Sequence, residues 1–153
     1  MTATPAWSRA ALLLTVVLVA DQVTKALIRG GIDVGESERL VLGTRIVHVT
    51  NDGVAFGALA GSGLVLVVVL AALAGLVTWF VMHADRPLVW LPTGLLLGGA
   101  LGNLLDRVRV GAVTDFVKLP AWPAFNVADT AITFGVVALL IVLERGNGTD
   151  DAS

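Results

Sequence analysis

The stretch Gly98–Asp129, GGALGNLLDRVRVGAVTDFVKLPAWPAFNVAD, decides how the chain is read. It leaves one apolar run, enters the next, and carries Asp106, Asp115 and Asp129 in between. Asp106 and Asp129 stand at the ends of segments apolar enough to enter a membrane. An acid at the centre of a membrane helix costs roughly 2.5 to 3.5 kcal/mol on insertion scales, so such a residue points to function by default.

The composition around this stretch agrees. The 153 residues are 56% hydrophobic and only 14% charged, with a mean hydropathy of +0.88. A soluble domain carries about 25% charged residues, so this chain lacks the polar surface that water demands. It reads as an integral membrane protein, a single domain by length. The net charge is -2 and no basic tract is present, which argues against a nucleic-acid partner. There is no Cys, which excludes disulfides, thiolate metal sites and a Cys nucleophile.

Four apolar runs predict four transmembrane helices, at about 10–28, 64–82, 88–105 and 125–143. A run of about 19 residues is enough to cross a hydrocarbon layer of about 30 Å. A cleaved signal peptide is the other reading of the first run. Leu18 is large for the position three before a cut, and three more runs follow. Residues 30–61 and 106–124 are polar loops, and 144–153 is a polar tail. Within the first loop, Leu40–Asn51 is rich in β-branched residues, and Asn51-Asp52-Gly53 signals a turn. The expected fold class is therefore an all-α polytopic membrane protein with a small β-rich element between spans one and two.

Odd spans end, and even spans begin, at one membrane face. Asp21, Lys25, Asn51, Gly53, Asn103, Asp106, Arg107, Asp115, Asn126 and Asp129 all collect there. The other face receives the tails and the His83–Pro87 turn. Counting Lys and Arg by face, the rule that positive charge stays inside would put the polar cluster in the cytoplasm.

The glycines Gly94, Gly98 and Gly102 recur every four residues, a pattern that lets helices approach closely in lipid. Asp21 and Lys25 are four apart and read as a structural ion pair on one helix face. Asn103 with Asp106, and Asn126 with Asp129, repeat an N-x-x-D spacing that makes each pair neighbours on a helix. An Asn beside an Asp donates a hydrogen bond to it. Asp106-Arg107 reads as an interfacial charge pair closing span three. Asp129 has no basic residue within a helical turn. Asp115 reads as a loop residue with apolar flanks, able to reach Asp129 if the loop folds across the mouth of the bundle.

Two close carboxyls share one proton, and such a pair hydrolyses peptides. One acts as base on water while the other polarises the carbonyl. The raised pKa of such a pair leads us to expect an acid-side activity limit above about 4. Other hydrolase signatures are missing: there is no H-E-x-x-H and no G-x-S-x-G, and His48 and His83 fall on opposite faces. A few acids and one His are too few for a metal site. A transporter or channel would need polar groups at the midplane, where span two offers only Thr78. A non-catalytic assembly factor using the glycine face would tolerate Asp→Asn at Asp115 and Asp129.

Five blocks now resemble a known family. DQVTK (Asp21–Lys25), NDGVAFG (Asn51–Gly57), GGALGNLLDR (Gly98–Arg107), VTDF (Val113–Phe116) and FNVAD (Phe125–Asp129) are together similar to lipoprotein signal peptidase, or signal peptidase II. The resemblance implies an aspartyl endopeptidase of the bacterial inner membrane, multi-pass, with both termini cytoplasmic and the active site facing the extracytoplasmic side. It implies diacylglyceryl-modified prolipoproteins as substrates, cut before the lipidated Cys, and inhibition by globomycin-type cyclic peptides. It implies Asp115 and Asp129 as the catalytic pair, with Asn103, Asp106, Arg107 and Asn126 supporting the pair and the substrate. Asn51 and Gly53 would contact substrate, and Asp21 and Lys25 would be structural. It implies no cofactor and no metal, with membrane lipid around a monomer.

Overall fold

The structure, a computed structural model, describes residues 5–40, 43–51 and 63–150, with the side chains of 63–66 and 146–150 excluded. Gly53 therefore lies outside the described residues. Four helices occupy the four apolar runs: α1 (Ala6–Gly31), α2 (Gly63–His83), α3 (Trp90–Val110) and α4 (Val127–Asp150). Three short strands complete the fold: β1 (Ser37–Arg39), β2 (Arg45–Asn51) and β3 (Val113–Lys118). They form one antiparallel sheet in the order β1-β2-β3.

Two expectations need correcting. The helix of the third run does not stop at residue 105. Asp106 and Arg107 lie inside α3, which ends where Gly111 turns left-handed at φ 84° and donates its N–H to the Arg107 carbonyl. The charged residues stay helical because Asp106 is buried against α1 rather than exposed to water. The residues after α3 are also not simply a loop. Val113–Lys118 is β-branched at Val113, Thr114 and Val117, and it supplies the third strand of the sheet. The β-rich element is thus built from both polar segments.

α3 is the inner helix, and its glycines set how closely its neighbours approach. A Cβ at Gly98 would lie 2.8 Å from Val17 Cβ and 3.0 Å from the Leu14 carbonyl of α1. Gly94 meets Ala10 and Leu13 in the same way. Gly102 makes room for Asp21 itself, whose Oδ2 would stand 2.5 Å from an added Cβ. The four-residue repeat is therefore the α1 contact, and it ends on a charged side chain. At the opposite end of the bundle, Phe80 of α2 is buried beside Ala10 and Val89 and takes the edge of Trp7 at 4.6 Å between ring centres.

α1 and residues 127–145 of α4 are long and apolar enough to cross a membrane, and 67–83 of α2 is a shorter apolar helix. Their outer faces carry exposed Leu12, Val16, Val19, Val23 and Leu27 on α1, and Phe134, Val137, Leu140 and Ile141 on α4. Apolar faces of that extent suit hydrocarbon better than water.

Candidate active site

The site is assembled by a hairpin. After β3 the chain turns through Pro120 and Pro123 and returns at Phe125, which exchanges backbone hydrogen bonds with Val117 at 2.8 and 3.0 Å. That closure sets Asn126, immediately before α4, beside β3. Asn126 and Asp129 then cap the helix reciprocally. The Asp129 N–H donates to Asn126 Oδ1 at 2.8 Å, and the Asn126 N–H donates to Asp129 Oδ2 at 3.2 Å. This satisfies donors that the first turn of a helix leaves open. The N-x-x-D spacing at 126–129 is therefore a cap as well as a site feature.

Asp115 sits on β3, not in a loop, and is 3% exposed. Asn51 of β2 lies opposite Val113, so its side chain is a diagonal neighbour of Asp115 on the same face. Asn51 Nδ2 donates to Asp115 Oδ2 at 3.0 Å, and Asn126 Nδ2 donates to Asp115 Oδ1 at 2.7 Å. Burial pushes the Asp115 carboxyl up to about 6, against the lowering effect of the Asn51 bond and with the Asp129 charge adding to the rise. Asp129 is half-buried. It accepts from Asn103 Nδ2 of α3 at 2.8 Å and lines a cavity of about 320 Å³ with Leu119, Trp122, Phe125, Thr130 and Phe134. One residue, Asn126, thus bonds to both carboxyl groups, to Asp115 through its side-chain amide and to Asp129 through its backbone N–H.

A second cluster lies behind the first. Lys25 is fully buried, and its ammonium bonds to Asp21 Oδ2 at 2.9 Å, Asp106 Oδ2 at 3.1 Å and Asn103 Oδ1 at 2.9 Å. Burying two carboxylates and an ammonium removes strong hydration, which only close geometry and full hydrogen bonding offset. Here the bonding is complete. Asp21 Oδ1 accepts the Ala128 N–H, while Asp106 accepts from Gln22, Arg29 and the Thr114 N–H.

Of the residues expected at the site, Asn51, Asn103, Asp115, Asn126 and Asp129 come together directly. Asp106 reaches the pair only through Thr114 and Asn103's neighbour Lys25, and its ion pairs run to Lys25 and Arg29. Arg107 donates instead to the Asn103 carbonyl at 3.2 Å, so the expected Asp106-Arg107 charge pair is replaced. Gln22, Arg29 and Thr114 went unread as site residues. Arg29 follows Lys25 by four positions on the same helix face, which was a usable signal. Thr114 contributes mainly its backbone, which has none.

A sequence profile described as Signal peptidase (SPase) II matches residues 13–144. The chain belongs to the signal peptidase II family. The lipoprotein signal peptidase of Moorella thermoacetica is 46% identical over 132 residues, covering 84% of this chain and 87% of that protein. That of Pelotomaculum thermopropionicum is 39% identical over 145 residues, covering 93% and 94%. A solved bacterial membrane enzyme, determined by the in meso method at 2.3 Å resolution, superposes with a TM-score of 0.84 at 31% identity, over 92% of this chain and 90% of that one.

For this signal peptidase II the raised Asp115 carboxyl adds an alkaline expectation to the acid-side one. The group with the higher pKa is the one that keeps the last shared proton, so it governs the alkaline limb rather than the acid one. If the proton that turnover needs is the one on Asp115, kcat/KM of the free enzyme declines as pH rises through about 6. Folding stability follows the same sign. The folded state binds the proton more tightly than the unfolded chain between about 3.9 and about 6, so stability falls across that window as pH rises. Rate and thermal-unfolding profiles from pH 4 to 8 check both; a kcat/KM flat through 6 contradicts the assignment of the proton to Asp115.

Proposed function

We propose that Asp115 and Asp129 are the catalytic pair of this peptidase. The observation that carries the reading is the convergence of two carboxyls, from β3 and from the first turn of α4, on one residue: Asn126 donates its side-chain Nδ2 to Asp115 and its backbone N–H to Asp129, which lines the cavity. As a signal peptidase II, the chain is a membrane aspartyl endopeptidase. It removes the signal peptide from diacylglyceryl-modified prolipoproteins by cutting before the lipidated Cys.

In the proposed step Asp129 takes a proton from a water whose oxygen attacks the scissile carbonyl carbon. Asp115, holding the shared proton, gives it to the carbonyl oxygen. The tetrahedral diol then collapses: the C–N bond breaks, the departing Cys nitrogen takes the proton held on Asp129, and one diol hydroxyl returns its proton to Asp115. Asn103 and Asn126 orient the two carboxyls, Asn51 braces Asp115 from the sheet, and Gly53 contacts substrate. Asp106 and Arg107 act on this arrangement through Thr114 and the Asn103 carbonyl. An apolar groove of about 510 Å³, lined by Leu76 and Trp79 of α2, Ala100 of α3 and Ile132 and Leu139 of α4, begins one turn from Asp129. It suits the apolar segment of a signal peptide.

All four helices span the bacterial inner membrane in this reading, with both termini cytoplasmic and the site at the extracytoplasmic face. The charge count that opposes this orientation loses force at the site. Lys25 and Arg29 are paired with acids, and Lys118 bonds to the Trp122 carbonyl. The protein acts as a monomer surrounded by lipid, and globomycin-type cyclic peptides inhibit it at the pair.

Incubating the purified protein with a lipidated precursor should release products whose masses place the cut before the modified Cys. An unlipidated precursor should stay whole. Because the chain has no Cys, single cysteines report orientation without background. Glu38→Cys on β1 should react with an impermeant maleimide in intact cells, whereas Asp85→Cys should react only after permeabilisation. The reverse pattern would overturn the orientation.

A further inference from the structure

We propose that Lys25 is a positioning residue for the catalytic pair and acts through Asn103, an inference that rests on the assignment of Asp115 and Asp129 above. An ammonium has three protons to donate. Two of those of Lys25 go to carboxylates, Asp21 and Asp106. An ion pair alone would need no more. The third goes to a neutral acceptor, Asn103 Oδ1, at 2.9 Å. Asn126 Nδ2 donates to the same oxygen at 3.1 Å. With Oδ1 held by two donors, the amide has one sense only, and its Nδ2 faces Asp129 Oδ1 at 2.8 Å. Turned over, the amide would set Nδ2 against the Lys25 ammonium and Oδ1 against the Asp129 carboxyl, two repulsions in place of two bonds.

The same stretch of α1 holds Asp129 from a second side. Asp21, four residues before Lys25, accepts the Ala128 N–H at 2.9 Å and so pins the first turn of α4. The close α1–α3 approach at Gly102 is what admits Asp21 there. Lys25 therefore fixes a donor to one carboxyl without itself hydrogen-bonding either member of the pair. Its role differs from a packing charge in one testable respect: its effect on rate must pass through the Asn103 side chain.

The test is a double-mutant cycle on the purified full chain with a lipidated precursor, using Lys25→Met, Asn103→Ala and the double variant. Lys25→Met should lower kcat about 10²-fold, as misplaced catalytic groups do, with KM changed less than about 3-fold. In the Asn103→Ala background the same substitution should cost less than about 3-fold more, because the two act in series. A Lys25→Met kcat within about 3-fold of wild type, or losses that simply multiply, overturns the proposal. Lys25→Met leaves Asp21 and Asp106 short of counter-charge and can compromise folding. Lys25→Met/Asp106→Asn, compared with Asp106→Asn alone, then carries the cycle at balanced charge. Failure of that variant to fold also overturns the positioning role, in favour of a purely structural one. Asp129→Asn is assayed alongside. Activity there would sink the catalytic pair itself, whereas an inactive Asp129→Asn beside a fully active Lys25→Met sinks only this inference.

Discussion

Asp129→Asn should abolish cleavage of a lipidated precursor, a loss of at least about 10⁴-fold, on the scale seen when one member of a catalytic unit is removed. The protein should remain folded. Asn has the shape of Asp and keeps one oxygen to accept from Asn103 Nδ2; its new NH₂ then meets the Asn126 N–H, but at a half-buried position where water can take up the mismatch. Asp115→Asn should be equally inactive but less neutral to the fold. Both of its oxygens now accept from amides, Asn51 on one side and Asn126 on the other. A new NH₂ there must face a donor, which costs about 1–3 kcal/mol for a buried polar mismatch. That cost is partly offset above pH 6, where the native carboxyl is charged and buried and the amide is not. Product mass spectrometry and thermal unfolding in detergent read the two effects separately. Wild-type turnover in either variant would remove that residue from the chemistry.

The helices were legible because long apolar runs carry their own length. Their ends were less so. Asp106 and Arg107 resemble residues that close a span, yet the counter-charges that let Asp106 stay buried within α3 come from Lys25 and Arg29, about 80 residues earlier. No local pattern carries such a pairing. The Asp21–Lys25 pair shows the limit from the other side. Its four-residue spacing revealed the ion pair, while the third bond of Lys25, to Asn103, is purely tertiary. The strand at Val113–Lys118 had a usable signal in its β-branched residues, but its partner strand lies across α2 and α3 in the chain. Asp115 consequently read as a loop residue when it is a strand residue, rigidly held, with its neighbour chosen by register. The motifs singled out Asp115 and Asp129; the residue that bonds to both, Asn126, was visible only as half of an N-x-x-D spacing.

That residue gives the second large effect. Asn126→Ala should lower kcat by about 10²–10³-fold and destabilise the fold by about 2–4 kcal/mol. The stability loss has two sources. The cap on α4 disappears, because Asn126 Oδ1 no longer receives the Asp129 N–H, at a cost of about 1 kcal/mol. The Asn126 Nδ2 bonds to Asp115 Oδ1 and Asn103 Oδ1 are also lost; Asn103 Oδ1 keeps Lys25, but Asp115 Oδ1 loses its amide donor in a buried site, which costs about 1–3 kcal/mol. The rate loss has a different origin: the Asp115 carboxyl is freed from the side chain that ties it to the start of α4, while the backbone N–H of residue 126 still holds Asp129, so the two are no longer set relative to each other. Asn126→Asp separates the two. It keeps an oxygen to cap α4, so stability should recover toward wild type at low pH. It cannot donate to Asp115, and it adds a third acid to the pair, so turnover should stay low. Chemical denaturation and steady-state kinetics on both variants would distinguish them. If Asn126→Ala lost stability but kept its kcat, or if Asn126→Asp restored both, Asn126 would be a helix cap and nothing more, and the geometry of the pair would have to be set by the remaining contacts, Asn51 on one carboxyl and Asn103 on the other.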